Sequence, residues 1–243
     1  QGFLWDGARG NQYAPWDGRN VKGRRRAAPK SDRAENTVFL DRIALIPVFD
    51  PAEVSSLKAK ARDQRYAQIA DAQGNLVIFS EEQLGGSFYA TPHEKSVIIV
   101  DESQFKEGKK SLRITPFVEV GSSFGGHLNY LDLSPLMKKG HVSFWVRGKN
   151  GGETFRVGFA TRTPEGLRAV AGVDLAAYAE VTGKWTPVRI PLGDLPANGV
   201  LAGPPYSSLP MNYAVTDEWA FSFSKSAELE VVVWVDELKI TRD

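Results

Sequence analysis

Two carboxylates held about 5–10 Å apart in a cleft are what a glycosidase needs. The sequence offers Glu81, Glu82, Asp101, Glu119 and Asp174, but nothing in their spacing pairs any two. The three histidines, His93, His127 and His141, stand without the G-x-S-x-G elbow of a serine hydrolase. No H-E-x-x-H, Walker loop, EF-hand loop or Cys/His zinc pattern occurs. Cysteine is absent, which removes disulfides, thiolate catalysis and Cys-ligated metal. A polysaccharide-cleaving enzyme is one reading, but these residues give no argument for it.

Sugar binding asks for different parts. A pyranose stacks its apolar face on Trp or Tyr, and its hydroxyls need polar partners, because a polar group buried alone is costly. An exposed sheet face supplies both, so strand residues can be sorted by alternation. In "HVSFWVRG" (141–148), Val142, Phe144 and Val146 are expected inward and Ser143, Trp145 and Arg147 outward. In "TFRVGFATRT" (154–163), Phe155, Val157 and Phe159 go in; Arg156, Gly158, Ala160 and Arg162 go out. In "WAFSFS" (219–224), the aromatic residues go in and Ala220, Ser222 and Ser224 go out. In "GGHLNY" (125–130), Leu128 and Tyr130 go in, His127 and Asn129 out. Small outward residues on neighbouring strands leave a groove. The expected lining is His127, Asn129, Trp145, Arg147, Arg156 and Arg162, with Tyr178, Tyr206 and Tyr213 as stacking platforms beside it. Several arginines in one cleft favour acidic sugars. The competing reading is a solvated sheet face covered by a loop or helix, with Trp145 packed beneath.

The elements that would position this face read as follows. Residues 1–36 are rich in Gly, Arg and Asn, with two "WDG" tripeptides and a "KGRRR" run, and read as an irregular arm. "TVFLDRIALIPV" (37–48) reads as a strand. Asp50 as N-cap, Pro51 at the first helical position and Glu53 as a capping-box partner predict a helix over 51–69. Val54, Leu57, Ala61 and Ile69 fall roughly on one stripe of it. From Leu76 onward the period becomes two, and short strands alternate with "EGKK", "MKKG", "GKNGG", "TPEG" and "VTGK" turns. That pattern predicts an all-β sandwich or barrel. The stretch 193–212 reads as a surface loop near a sheet edge.

Apolar residues make up 42% of the chain, enough for a sizeable core, and the net charge of +1 points to neither nucleic acid nor a membrane surface. No run of about 18 apolar residues exists, so no membrane span is expected. The first residue is Gln1 and no signal peptide is visible, which favours a processed, secreted chain or a fragment.

"GKKSLRI" (108–114), "LDLSPLMKKGHVSFWVRG" (131–148), "GKWTPVRIPLGDL" (183–195), "WAFSFS" and the terminal "VWVDELKI" (233–240), in that order, resemble the jelly-roll carbohydrate-binding modules of families 11 and 30. "LVIFSEEQLGGSFYA" (76–90) is loosely similar to their opening strand. The resemblance implies a two-sheet jelly-roll β-sandwich over 76–243, preceded by an arm plus strand over 1–49 and a helical linker over 50–75. It further implies an extracellular or periplasmic, non-catalytic polysaccharide binder attached to a glycoside hydrolase in a bacterium. It also implies a structural calcium, with Asp236 as one ligand and Glu81 or Glu82 as another.

One feature competes with that picture. "FLDRIAL" (39–45) shares the frame of "WVDELKI" (234–240). The early strand reads as an extra edge strand, as the tail of a preceding similar module, or as a strand that completes a sheet in another subunit. The last gives the alternative function, an assembly protein that docks like subunits through residues 1–46.

Overall fold

The computed structural model describes residues 3–5, 13–15, 50–81, 88–91, 95–162, 167–201, 208–225 and 230–242. The expected strand at 37–48 lies outside the described residues, as do Glu82, His93 and Tyr206. Two units emerge, Gln1–Val48 and Phe49–Asp243. The first is not wholly irregular. Strands β1 (Phe3–Trp5) and β2 (Tyr13–Pro15) pair antiparallel, with Trp5 opposite Tyr13.

The second unit opens with helix α1, Pro51–Ile69. Asp50 caps it as expected, its carboxylate accepting the Ala52 N–H at 2.9 Å. The apolar stripe is not the one the sequence predicts. Leu57 is 57% exposed, and only Tyr66 and Ile69 enter the core. The last turns of α1 thus belong to the sandwich, so α1 is not a free-standing linker. The chain leaves the helix by a turn in which Asp71 accepts the Gln73 and Asn75 N–H groups and Gly74 takes φ +79.

Thirteen strands follow: β3 (Leu76–Phe79), β4 (Phe88–Thr91), β5 (Val97–Asp101), β6 (Ser111–Thr115), β7 (Ser122–Leu131), β8 (Gly140–Gly148), β9 (Arg156–Arg162), β10 (Arg168–Asp174), β11 (Thr186–Pro191), β12 (Asn198–Leu201), β13 (Ser208–Pro210), β14 (Thr216–Phe223) and β15 (Val233–Arg242). They form two antiparallel sheets. One has seven strands, ordered β13-β12-β10-β9-β14-β7-β4. The other runs β11-β8-β15-β6-β5, with β3 also on β15. The stretch expected to be a surface loop instead forms β12 and β13, the outermost pair of the larger sheet.

The core lies between the sheets. Val142, Phe144 and Val146 of β8 face Phe155, Val157, Phe159, Trp219, Phe221 and Phe223, all buried, as alternation predicts. The rings interlock. Phe221 meets Phe144, Phe155 and Trp219 at centroid distances of 5.7, 5.2 and 5.0 Å. Alternation fails at one predicted point. Tyr130 is 57% exposed rather than inward, because Asn129 and Tyr130 both take left-handed backbone, φ 51 and 59.

Candidate functional site

The seven-stranded sheet carries side-chain rows across its outer face. One row is nearly bare: Tyr89 pairs with Gly125, Gly125 with Ala220, Ala220 with Gly158, and Gly158 with Gly172. The glycine at 158 is obligatory, since a Cβ there would overlap the Ala171 carbonyl oxygen. This row is the floor of a shallow trough, open over Ala220, Gly158 and Gly172 and covered at its other end by the Tyr89 side chain, which lies over Gly125. One bank holds Thr91, Ser123, Ser222, Arg156 and Asp174. The other holds His127, Glu218, Ala160 and Val170. A cavity of about 40 Å³ remains over Gly158, Gly172 and Ser222, beside Arg156.

A charged network spans the trough. Glu218, 5% exposed, accepts Arg168 Nε at 3.3 Å and Arg168 Nη2, and its Oε1 lies 3.8 Å from His127 Nδ1. Arg168 Nη2 also donates to the Tyr89 hydroxyl at 3.0 Å. Burial, then the Glu218 carboxylate, push that hydroxyl's pKa upward, so Tyr89 keeps its proton. Beside them Asp217 accepts Arg162 Nε at 3.0 Å and Nη2 at 2.9 Å. Asp217 reaches this face through a bulge between Thr216 and Glu218, which puts two consecutive acids on one side of the sheet. Arg156 pairs with Asp174 at 3.4 Å and donates to the Gly172 carbonyl.

The structure brings His127, Arg156 and Arg162 onto this face. It does not bring Trp145 and Arg147 there. Both stand on β8 of the other sheet, and a single groove cannot include both sets. The sequence reading erred because alternation tells inward from outward but not which sheet a strand joins. Asn129 turns away from the trough, toward α1. Tyr178 and Tyr213 are not open platforms. Tyr178 donates to Asp194 at 3.1 Å, and Tyr213, half-buried, donates to the Pro196 carbonyl at 2.9 Å. Burial pushes the Tyr213 hydroxyl up to about 12. Tyr89, Arg168, Asp217 and Glu218 were missed. Glu218 and Arg168 were within reach of alternation, two residues from Ala220 and four from Gly172. Asp217 needed the bulge.

On the six-stranded sheet, Trp145 and Arg147 fasten the segment 102–110. Lys106 Nζ lies 4.6 Å from the Trp145 ring centroid, and Arg147 donates to the Gln104 side chain while stacking on Trp234. Trp145→Ala and Arg147→Ala are therefore expected to leave glycan affinity within about twofold and to raise amide exchange in 102–110. A loss of affinity above tenfold would return them to the site.

Asp101 ties down the same region. It accepts from the Ser103 N–H at 2.7 Å, Ser103 Oγ at 2.6 Å and Trp234 Nε1 at 3.0 Å. Burial alone would raise its carboxyl, but these bonds outweigh it and hold the pKa below the usual aspartate range. The stabilisation is thus present above an ordinary aspartate pKa of about 3.9 and is lost as pH falls through the depressed folded value. Asp101→Asn is expected to cost about 1–2 kcal/mol near neutral pH and to flatten the acid limb of a stability-versus-pH curve. An unaltered acid limb would show that Asp101 is not responsible.

The implied calcium ligands have other partners. Asp236 accepts the N–H groups of Lys106 at 2.7 Å, Glu107 at 3.0 Å and Glu237 at 2.8 Å. Glu81 accepts the Lys109 N–H at 2.6 Å. Through these N–H donors Asp236 and Glu81 fasten one loop, residues 106–109. His127, Asp217 and Glu218 have ligand atoms within 4.8 Å of one another. Arg162 and Arg168 already place positive charge on both carboxylates.

Comparison with known proteins places this architecture. Residues 75–242 match the family described as carbohydrate binding domain 30. A search of curated proteins finds none that matches. Among solved structures, a family 30 carbohydrate-binding module is 24% identical, with a TM-score of 0.58, covering 70% of this chain and 88% of its own. The family 30 module of the cellulosomal cellulase Cel9D-Cel44B of Clostridium thermocellum is also 24% identical, with a TM-score of 0.56 and coverage of 70% and 98%. The family 11 module of Lic26A-Cel5E from that organism is 14% identical, with a TM-score of 0.52 and coverage of 71% and 97%. These likenesses show the fold, a two-sheet sandwich. With the family match spanning most of the chain, this protein belongs to the carbohydrate binding domain 30 family, whose function is to bind carbohydrate without cleaving it.

Proposed function

We propose that the chain binds a polysaccharide outside the cell, in the trough across its seven-stranded sheet. The observation that carries this reading is the glycine–alanine floor flanked by charge-paired hydrogen-bonding groups. A sugar ring needs a close approach to backbone and fixed donors and acceptors for its hydroxyls. Arg168 and Glu218 hold each other in place, so little ordering is needed when a ligand arrives. The floor crosses five strands, a length of about 19 Å at a spacing near 4.8 Å, and its open part is the cavity of about 40 Å³ over Gly158 and Gly172, so a sugar chain would rest along it at a shallow depth. Tyr89 and Arg168 stand on the first and fifth of those strands and still touch. A flat sheet would hold them too far apart, so their contact supports a concave face. His127, Arg156 and Arg162 remain proposed contacts.

The neighbours named as cellulase modules support a role in keeping a catalytic domain near its polysaccharide. Among the described residues no helix is long and apolar enough to cross a membrane. The first probe is β-1,3-1,4-mixed-linked glucan, because a family 11 module was solved with such a tetrasaccharide. Affinity electrophoresis against a polysaccharide panel should retard the protein in at least one gel and release no reducing ends. Free migration in every gel would overturn the binding reading, and release of sugar products would replace it with an enzyme.

A further inference from the structure

A larger recess of about 490 Å³ lies away from the trough, between α1 and the far end of β7. Lys58, Arg62 and Arg65 line it from the helix, at spacings of four and three that put them on one face. Tyr130 and Val215 line it from the sandwich. The left-handed Asn129–Tyr130 pair is what turns the tyrosine ring out of β7, and such strained residues gather at ligand clamps. Arg65 Nε is buried with no hydrogen-bond partner among the described residues. The one carboxylate in the lining, Asp132, already accepts from Ser134 N at 3.0 Å and Ser134 Oγ at 2.6 Å and faces Arg62 at 3.8 Å. Arg62 is also held by Asp63 at 3.1 Å, which leaves Lys58 and Arg65 as the two lining cations with no carboxylate partner among the described residues.

We propose that this recess is a second binding site, for an anionic residue of a saccharide. Arg65 and Lys58 take a carboxylate or sulfate, and the ring's apolar face rests on Tyr130. The inference rests on the proposed carbohydrate reading for its class of ligand. The positive lining beside an exposed aromatic ring selects acidic sugars over neutral ones. Because α1 precedes the family match at residue 75, the site joins the sandwich to an element outside that match.

Isothermal titration of the intact chain tests it with four probes: tetragalacturonate, a sulfated galactose tetrasaccharide, mixed-linked glucan tetrasaccharide and tetraglutamate. At least one acidic saccharide is expected to bind, more weakly as salt rises. The tighter of the two identifies the anionic group as carboxylate or sulfate. Arg65→Gln and Tyr130→Ala should each weaken that binding about tenfold or more, with neutral tetrasaccharide unaffected. Lys58→Gln, at an exposed position, should weaken it severalfold without touching the fold. Wild-type affinity in these variants overturns the proposal. So does acidic-sugar binding lost in Glu218→Gln but kept in Arg65→Gln, or tetraglutamate binding as tightly as the saccharides. If no saccharide binds in a way that responds to Glu218→Gln while an acidic one binds and responds to Arg65→Gln, the trough reading fails and the recess stands.

Discussion

Glu218→Gln is expected to weaken polysaccharide binding by about 10- to 100-fold, the loss that follows removal of a hydrogen bond to a charged group worth about 1.5–3 kcal/mol. The residue anchors the whole bridge across the trough. Its carboxylate fixes Arg168, and Arg168 in turn fixes the Tyr89 hydroxyl. A carboxylate has about four lone-pair positions, so Arg168 and His127 do not exhaust it, and a sugar hydroxyl can donate to what remains. Glutamine keeps the shape but halves the acceptor capacity and leaves Arg168, 26% exposed, facing an uncharged partner. Stability should fall as well, by about 1–3 kcal/mol, since a partly buried cation loses its counter-charge. Titration calorimetry reads the first effect and thermal unfolding the second. Wild-type affinity in a folded variant would take Glu218 out of the site. Arg168→Lys should share much of the loss, because a lysine cannot make the two-pronged contact.

Phe221→Ala is expected to be the most damaging single truncation of the sandwich. The side chain is 1% exposed and meets three other rings from both sheets. Removing a buried phenylalanine costs about 3–5 kcal/mol, and domains of ordinary stability have only about 5–15 kcal/mol in total. For a domain of this size the midpoint should fall on the order of 10 °C. Differential scanning calorimetry decides it. A shift of only a degree or two would mean the inter-sheet core does not depend on this cluster. Glycan binding by the folded fraction should persist, because Phe221 faces away from the trough.

How far these features could be read from the sequence depends on their range. The helix start was legible because Asp50 and Pro51 act within one turn. The inward faces of β8, β9 and β14 were legible because each strand repeats its own period of two. Pairing is a different matter. That Trp145 lies on one sheet and Arg156 on the other follows from β8 choosing β11 and β15 while β9 chose β10 and β14. Those partners are far apart in the chain, and no local pattern declares them. The Asp217 bulge and the left-handed Asn129–Tyr130 pair are single-residue departures from regular strand. They carry no Gly or Pro signal, so alternation ran straight through them. They are also what shapes the trough's charged bank and the second recess.

The most direct test of the central claim is a titration of the isotope-labelled chain with mixed-linked glucan tetrasaccharide, or another retarding glycan, followed by backbone amide NMR. The largest shifts are expected at residues 125–127, 158–160, 172 and 218–222, with 143–147 silent. Shifts centred on 143–147 and 234–239, with the glycine floor unmoved, would contradict it.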